Sequence, residues 1–269
     1  MAARGQGREA ARLLRSELGL GTGYVDIYQV IRELGIELYT KPFRDGLDGA
    51  YKRDHGRDFI FVNTAAETPL RHRFTAAHEL GHAQLRSAGE AGGVFEDDVE
   101  RDEGEGEEQE ANSFAAHFLI DEGGAKQLCS TIDGPDRRVA ATVRRFVVSA
   151  ESAAIHLATL GLLSDYARRS LLARVAAGET STRALLREHG MVLPQTPDFG
   201  EHPRLDPTFE QRVLDAYEQR WLRIDAVADL LQTSQNRVRA LLEHNGLPVF
   251  EDEEADKPVE SDLLGLLEP

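Results

Sequence analysis

One pentapeptide constrains this chain more than any other feature: His78-Glu79-Leu80-Gly81-His82, set inside a helical pattern running from Leu70 to Arg86. At i and i+4 the two imidazoles stand about 40° apart around a helix and one turn apart along it. They can share one metal ion, with bonds of about 2.0–2.1 Å if the ion is Zn²⁺. Glu79 is rotated off that line and lies beside the metal position, where it can take a proton from metal-activated water. With 9 histidines in 269 residues, chance supplies roughly 0.03 copies of the pattern. Phe74, Gly81 and Leu85 share the histidine side, so that side faces inward, and two imidazoles in an apolar sector require a partner.

A catalytic zinc needs a third protein ligand and an open position. The single cysteine, Cys129, excludes a thiolate cage and an intramolecular disulfide framework; it reads as a small buried residue. The third ligand must therefore come from histidine or an acid. On a helix over residues 107–120, with Glu108 at 0°, Asn112 falls at about 40°, Ala115 at about −20° and Leu119 at about 20°. Glu108 thus lies in the apolar sector, where a carboxylate is costly unless a cation pairs with it. Glu110 and His117, near 200° and 180°, fall on the opposite side and read as solvated residues. Asn112 is placed either to hydrogen-bond a ligand or to pack as a helix-facing amide.

The remaining sequence supplies context. Short β-like runs occupy 36–40, 49–52 and 59–62, helices are predicted at 8–19 and 25–34, and helical pairs at 137–163 and 208–243. Prolines 194, 197, 203 and 207 mark 176–207 as a linker. The divisions read as a core over 1–130, a helical segment over 131–175, the linker, a C-terminal helical pair over 208–247 and an acidic tail over 248–269. The formal net charge is −16. It concentrates in 90–110, where eleven acids face Arg101, and in 248–269, where eight face Lys257. No basic stripe favours non-specific nucleic-acid binding. No apolar run reaches membrane-spanning length, and the first residues lack a signal-peptide core, so a cytoplasmic protein is expected.

Four segments in order, Asp45-Gly46-Leu47-Asp48-Gly49-Ala50, Ile60-Phe61-Val62-Asn63, Arg73-Phe74-Thr75 leading to the pentapeptide, and Glu108 followed by Ala111-Asn112 and Phe114-Ala115-Ala116, resemble the ImmA/IrrE family of metallopeptidases. The resemblance spans about residues 8–165. It implies an α+β fold: a zincin-like core with a small mixed sheet and an active-site helix, followed by helix-turn-helix-like helical segments. It implies His78, His82 and Glu108 as metal ligands, Glu79 as the catalytic carboxylate, and a helix-turn-helix transcriptional repressor as the substrate, cut to derepress stress or mobile-element genes; a His₂Glu donor set with an open site suits zinc over manganese. Two alternatives are a non-cleaving antirepressor or antitoxin-like partner, and a DNA-binding regulator with an inactive peptidase fold. The chain departs from the family pattern at Arg86, where many members carry histidine, and at Asp121, where proline usually follows the second motif helix. Tyr51, His55, Asn63 and Arg73 are candidate oxyanion donors. Ile224–Ser234 with Asn236–Leu242 has helix-turn-helix spacing, with Thr233 or Ser234 as cap and Arg237 and Arg239 as candidate DNA contacts. Tyr217 and Trp221, at i and i+4, read as helix packing.

Overall fold

Local signals set the elements in this computed structural model, which describes residues 5–42, 48–54, 56–65, 68–90, 105–195, 207–231 and 233–250. Helix α1 (Gln6–Glu17) buries Ala11 and Leu14 on one face. The Asp26 side chain accepts the Tyr28 and Gln29 amides and starts α2 (Ile27–Glu33). Three strands follow, β1 (Glu37–Lys41), β2 (Gly49–Asp54) and β3 (Arg57–Asn63). They form one sheet in the order β1-β3-β2, with β1 parallel and β2 antiparallel to β3. The expected small mixed sheet in an α+β fold is therefore present. Leu38, Ile60 and Val62 point into the core, where α3 (Pro69–Glu90) crosses the sheet.

Helix α4 (Glu105–Leu119) packs against both α1 and α3. That double contact explains its burial pattern. Phe114 and Phe118 stack with ring centres 5.3 Å apart. A Cβ on Gly81 would sit 3.1 Å from the Ala111 carbonyl oxygen and 3.1 Å from the Phe114 ring, so glycine lets α3 and α4 approach closely. Asp121, at the departure from proline, accepts the Gly124 amide at 2.5 Å and caps α5 (Glu122–Cys129). The chain thus ends one helix and starts another without proline.

Helices α6 (Pro135–Phe146) and α7 (Ala150–Thr159) form the first expected pair. The turn between them holds Val147 in the left-handed region, φ 58°. The buried Arg73 secures this turn: its Nε donates to the Val147 carbonyl, and its other nitrogens donate to the Val25 carbonyl and the Tyr24 hydroxyl. Serine caps begin α8 (Asp165–Ala176) and α9 (Thr182–Glu188). The predicted linker therefore contains a helix. Leu185 and Leu186 of α9 are buried in the main core, and two leucines in a short run outweigh the prolines that follow.

A second apolar cluster unites α10 (Pro207–Glu218), α11 (Ile224–Leu230) and α12 (Gln235–His244). This is three helices where a pair is expected. Trp221 falls after α10 and is part-exposed, while Tyr217 is buried with its hydroxyl accepting the Phe250 amide. Tyr217 and Trp221 consequently do not share a helix. Phe209 of α10 meets Tyr39 on the outer sheet face at 5.7 Å, and Arg212 donates to Glu37 at 2.7 Å. No helix among the described residues is long and apolar enough to cross a membrane. The acidic stretch 91–104, the tail 251–269, His55 and Gln232 lie outside the described residues.

Candidate metal centre

His78 and His82 project from the middle of α3 toward the open end of α4. Their Nε2 atoms lie 3.0 Å apart. Glu108, near the start of α4, places one carboxylate oxygen 3.2 Å from His78 Nε2 and the other 3.3 Å from His82 Nε2. All three donor atoms fall within 4.8 Å of one another. The side chains of His78 and His82 are 15% and 10% exposed and that of Glu108 is 45% exposed, so the triangle opens on one side to solvent.

The donor set fits a metal. Tetrahedral ligands at zinc bond lengths stand about 3.3 Å apart, close to the triangle's three edges. His78 Nδ1 lies 3.2 Å from Asn112 Oδ1. Since that oxygen can only accept, Nδ1 carries the proton and Nε2 presents its lone pair to the centre. Burial pushes the His82 pKa down, and the nearby Glu108 carboxylate only partly opposes it. Burial thus favours the neutral, ligating form of His82, and the Asn112 contact fixes the ring of His78. Asn112, open in the sequence between ligand support and helix packing, thus contacts a ligand.

Glu79 is 7% exposed and turns toward β2. A Cβ on Gly49 would clash with Thr75 Cγ2 and come within 2.8 Å of Glu79 Oε1. Glycine at the first residue of β2 therefore makes room for the carboxylate. β2 is an edge strand among the described residues, paired only with β3. The Glu79 carboxylate therefore lies beside a strand edge.

The other candidates distribute differently. Arg73 points away from the centre into the α6–α7 turn, with its guanidinium committed to carbonyls and Tyr24. Asn63 Oδ1 accepts the Ala65 amide. The Tyr51 hydroxyl donates to Asp58 at 2.7 Å, and burial with that carboxylate raises its pKa. Glu110, expected as a solvated residue, accepts the Gly5 and Gly7 amides at the start of α1 at 2.9 and 2.7 Å. His117, expected likewise on the polar side, packs edge-to-face on His156 at 4.5 Å, and burial lowers its pKa. The far side of α4 is covered by α1 and α7, which helical periodicity alone does not reveal. Cys129 is buried, and burial raises its thiol pKa, as befits an inert thiol. In α11–turn–α12, the Ser234 hydroxyl accepts the Arg237 amide at 3.3 Å, and Arg237 and Arg239 are exposed.

Residues 31–158 match the family model described as Peptidase_M78: IrrE N-terminal-like domain. A solved structure of a Mycobacterium tuberculosis transcriptional regulator is similar at 22% identity, over 58% of this chain and 47% of that one, with a TM-score of 0.41. This chain thus spans about half the length of that protein. Among curated proteins none matches.

Proposed function

Starting from an IrrE N-terminal-like, Peptidase_M78 domain over residues 31–158, we propose that the chain is a metal-dependent endopeptidase that cuts a helix-turn-helix transcriptional repressor. The observation that carries this reading is the convergence of His78, His82 and Glu108 within 4.8 Å, with the buried Glu79 carboxylate beside β2. Bound by those three residues, a divalent cation, zinc by the chemistry of a His₂Glu donor set, supplies Lewis acidity toward the peptide carbonyl and lowers the pKa of water.

The chain's own groups do the rest. An extended peptide adds to the β2 edge through backbone hydrogen bonds, which holds it in register across the opening. Glu79 accepts a proton from the attacking water as its oxygen bonds to the scissile carbon. When the carbon–nitrogen bond breaks, Glu79 returns that proton to the leaving amine. The Glu79 carboxylate lies against Gly49, which limits its rotamers and keeps it in reach. Asn112 holds the His78 ring in one tautomer.

Mapping of new protein N-termini after incubating the zinc-loaded chain with candidate repressors tests the reading. The wild type releases one fragment pair from the cognate repressor. Glu79→Gln releases none and keeps its metal. A repressor that binds tightly yet stays intact with the zinc-loaded wild type contradicts the peptidase reading and leaves a sequestering role.

A further inference from the structure

Helices α10–α12 lie outside the matched domain of residues 31–158 and close on an apolar core of their own. Within that unit α11 ends at Leu230 and α12 begins at Gln235, a spacing that helix-turn-helix units use. Ile224, Val227 and Ala228 pack inward from α11, and Val238 and Leu242 from α12. The last two fix which side of α12 faces the core. Its outward arc then runs from Arg237 through Ala240 and Asn236 to Arg239, about 160° in all. All four residues are exposed. Two arginines thus flank a middle made of one small residue and one amide.

That order suits a DNA groove. Asn236, in the first turn of α12, offers a donor and an acceptor side by side, the pair that matches an adenine edge. Ala240, one turn on, lets a base approach closely and can meet a thymine methyl. A helix with its side chains is about 10–12 Å across, and a major groove is about 12 Å wide. Seated there, Arg237 and Arg239 face opposite groove walls, where the phosphates lie. Their charges are not spent within the protein. In the same unit Arg212 donates to Glu37, Arg223 pairs with Asp225 at 3.7 Å, and Arg220 lies over the Phe250 ring at 4.4 Å. Among the described residues neither Arg237 nor Arg239 is paired with an acid. Glu243 shares the outer side but lies about 10 Å along the axis from Asn236. It is therefore beyond the N-terminal part of the helix that makes base contacts. The face is also open: Asn236, Arg239, Ala240 and Glu243 line a groove of about 550 Å³. By contrast α7, second helix of the other pair, is packed against α4, α8 and α9.

We propose that α11–turn–α12 binds double-stranded DNA, with α12 in the major groove, Asn236 reading a base, and Arg237 and Arg239 holding phosphates on either side. The assignment is independent of the peptidase reading, because none of these residues belongs to the metal centre. A formal net charge of −16 gives no long-range pull toward DNA, so affinity rests on these few contacts.

The test presents the full chain, at low salt, with a library of random-sequence DNA duplexes and sequences those retained. One short motif is expected to be enriched. On that duplex and on a scrambled one alike, Arg237→Ala and Arg239→Ala should each weaken binding about fivefold and lower the salt slope by about one. Arg237→Lys, which keeps the charge, should retain most of the affinity. Asn236→Ala should instead remove about tenfold of the preference for the enriched duplex over the scrambled one. Ala240→Glu, which sets a charge against the groove, should abolish binding. All these positions are exposed, and a thermal midpoint equal to that of the wild type establishes that each variant is folded. Absence of any duplex binding by the wild type overturns the assignment. So does binding that both arginine-to-alanine variants and Ala240→Glu retain while folded. If Ala240→Glu loses capture of a repressor protein and leaves duplex binding unchanged, the face belongs to a protein partner and the DNA assignment falls.

Discussion

At His156, burial does more to the proton than any neighbour. The ring is enclosed beside His117, and its pKa falls to about 4. An unfolded histidine titrates near 6.5. The folded state therefore binds fewer protons between those values, and stability rises with pH through the window. It is fully present above about pH 6.5 and is lost as pH falls toward 4, by about 3 kcal/mol for this group. Urea denaturation at pH 7 and pH 4.5 checks this, and His156→Leu should flatten the difference. Asn112→Ala should lower metal affinity by about 10–100-fold, because the His78 tautomer is no longer fixed; a competitive chelator titration measures it. These residues also show what sequence can reveal. His78, Glu79 and His82 are legible because their relation lies within one helical turn. Glu108 is singled out by helical periodicity, but the apolar surroundings which that periodicity implies are not found: its side chain is 45% exposed near the start of α4. Glu110, His117 and Arg73 are not legible, since their partners (Gly5 and Gly7, His156, and Val147) lie on elements far away in the chain.

Between elements, the spacing of α3 and α4 decides whether the third ligand reaches the first two. Gly81 sets that spacing by its contact with Ala111 and Phe114. Gly81→Val should destabilise the fold by about 2–3 kcal/mol and weaken metal binding together, because the helices must part. Thermal denaturation with and without metal separates the two effects. The α6–α7 turn sets two effects against each other. Val147 is β-branched and left-handed but also buried, so Val147→Gly relieves about 1–2 kcal/mol of backbone strain while removing a buried side chain worth about 1.5–3 kcal/mol, and should lower stability by about 1 kcal/mol, read from the shift of a urea midpoint. Element existence was largely readable: hydrophobic period located α1, α3, α4, α6 and α7, and alternation located the strands. Helices α5 and α9 escaped because each is short and gains its helical state from an aspartate or serine cap and from packing onto the main core, whereas α8 lies in the stretch 131–175 read as helical.

For the whole molecule, the C-terminal helices meet the outer sheet face at Tyr39 and Glu37 among the described residues. Glu37 is their hub, accepting from Tyr39, Arg57 and Arg212. Arg212→Ala removes the cross-link while Glu37 keeps its other donors, and should cost about 1–2 kcal/mol. Hydrogen exchange should then rise in α10–α12 and stay unchanged in α3 and α4. That separation is consistent with two apolar clusters, of which only the larger supports the metal centre. The account as a whole depends on that centre holding one divalent ion. The direct measurement is zinc per chain by mass spectrometry of metal content, at matched protein concentration, for the wild type, His78→Ala, Glu108→Ala and Glu79→Gln. The expected result is one equivalent in the wild type and in Glu79→Gln, and a sharp loss in the other two. Zinc that is substoichiometric in the wild type after reconstitution, or undiminished in both His78→Ala and Glu108→Ala, would contradict it.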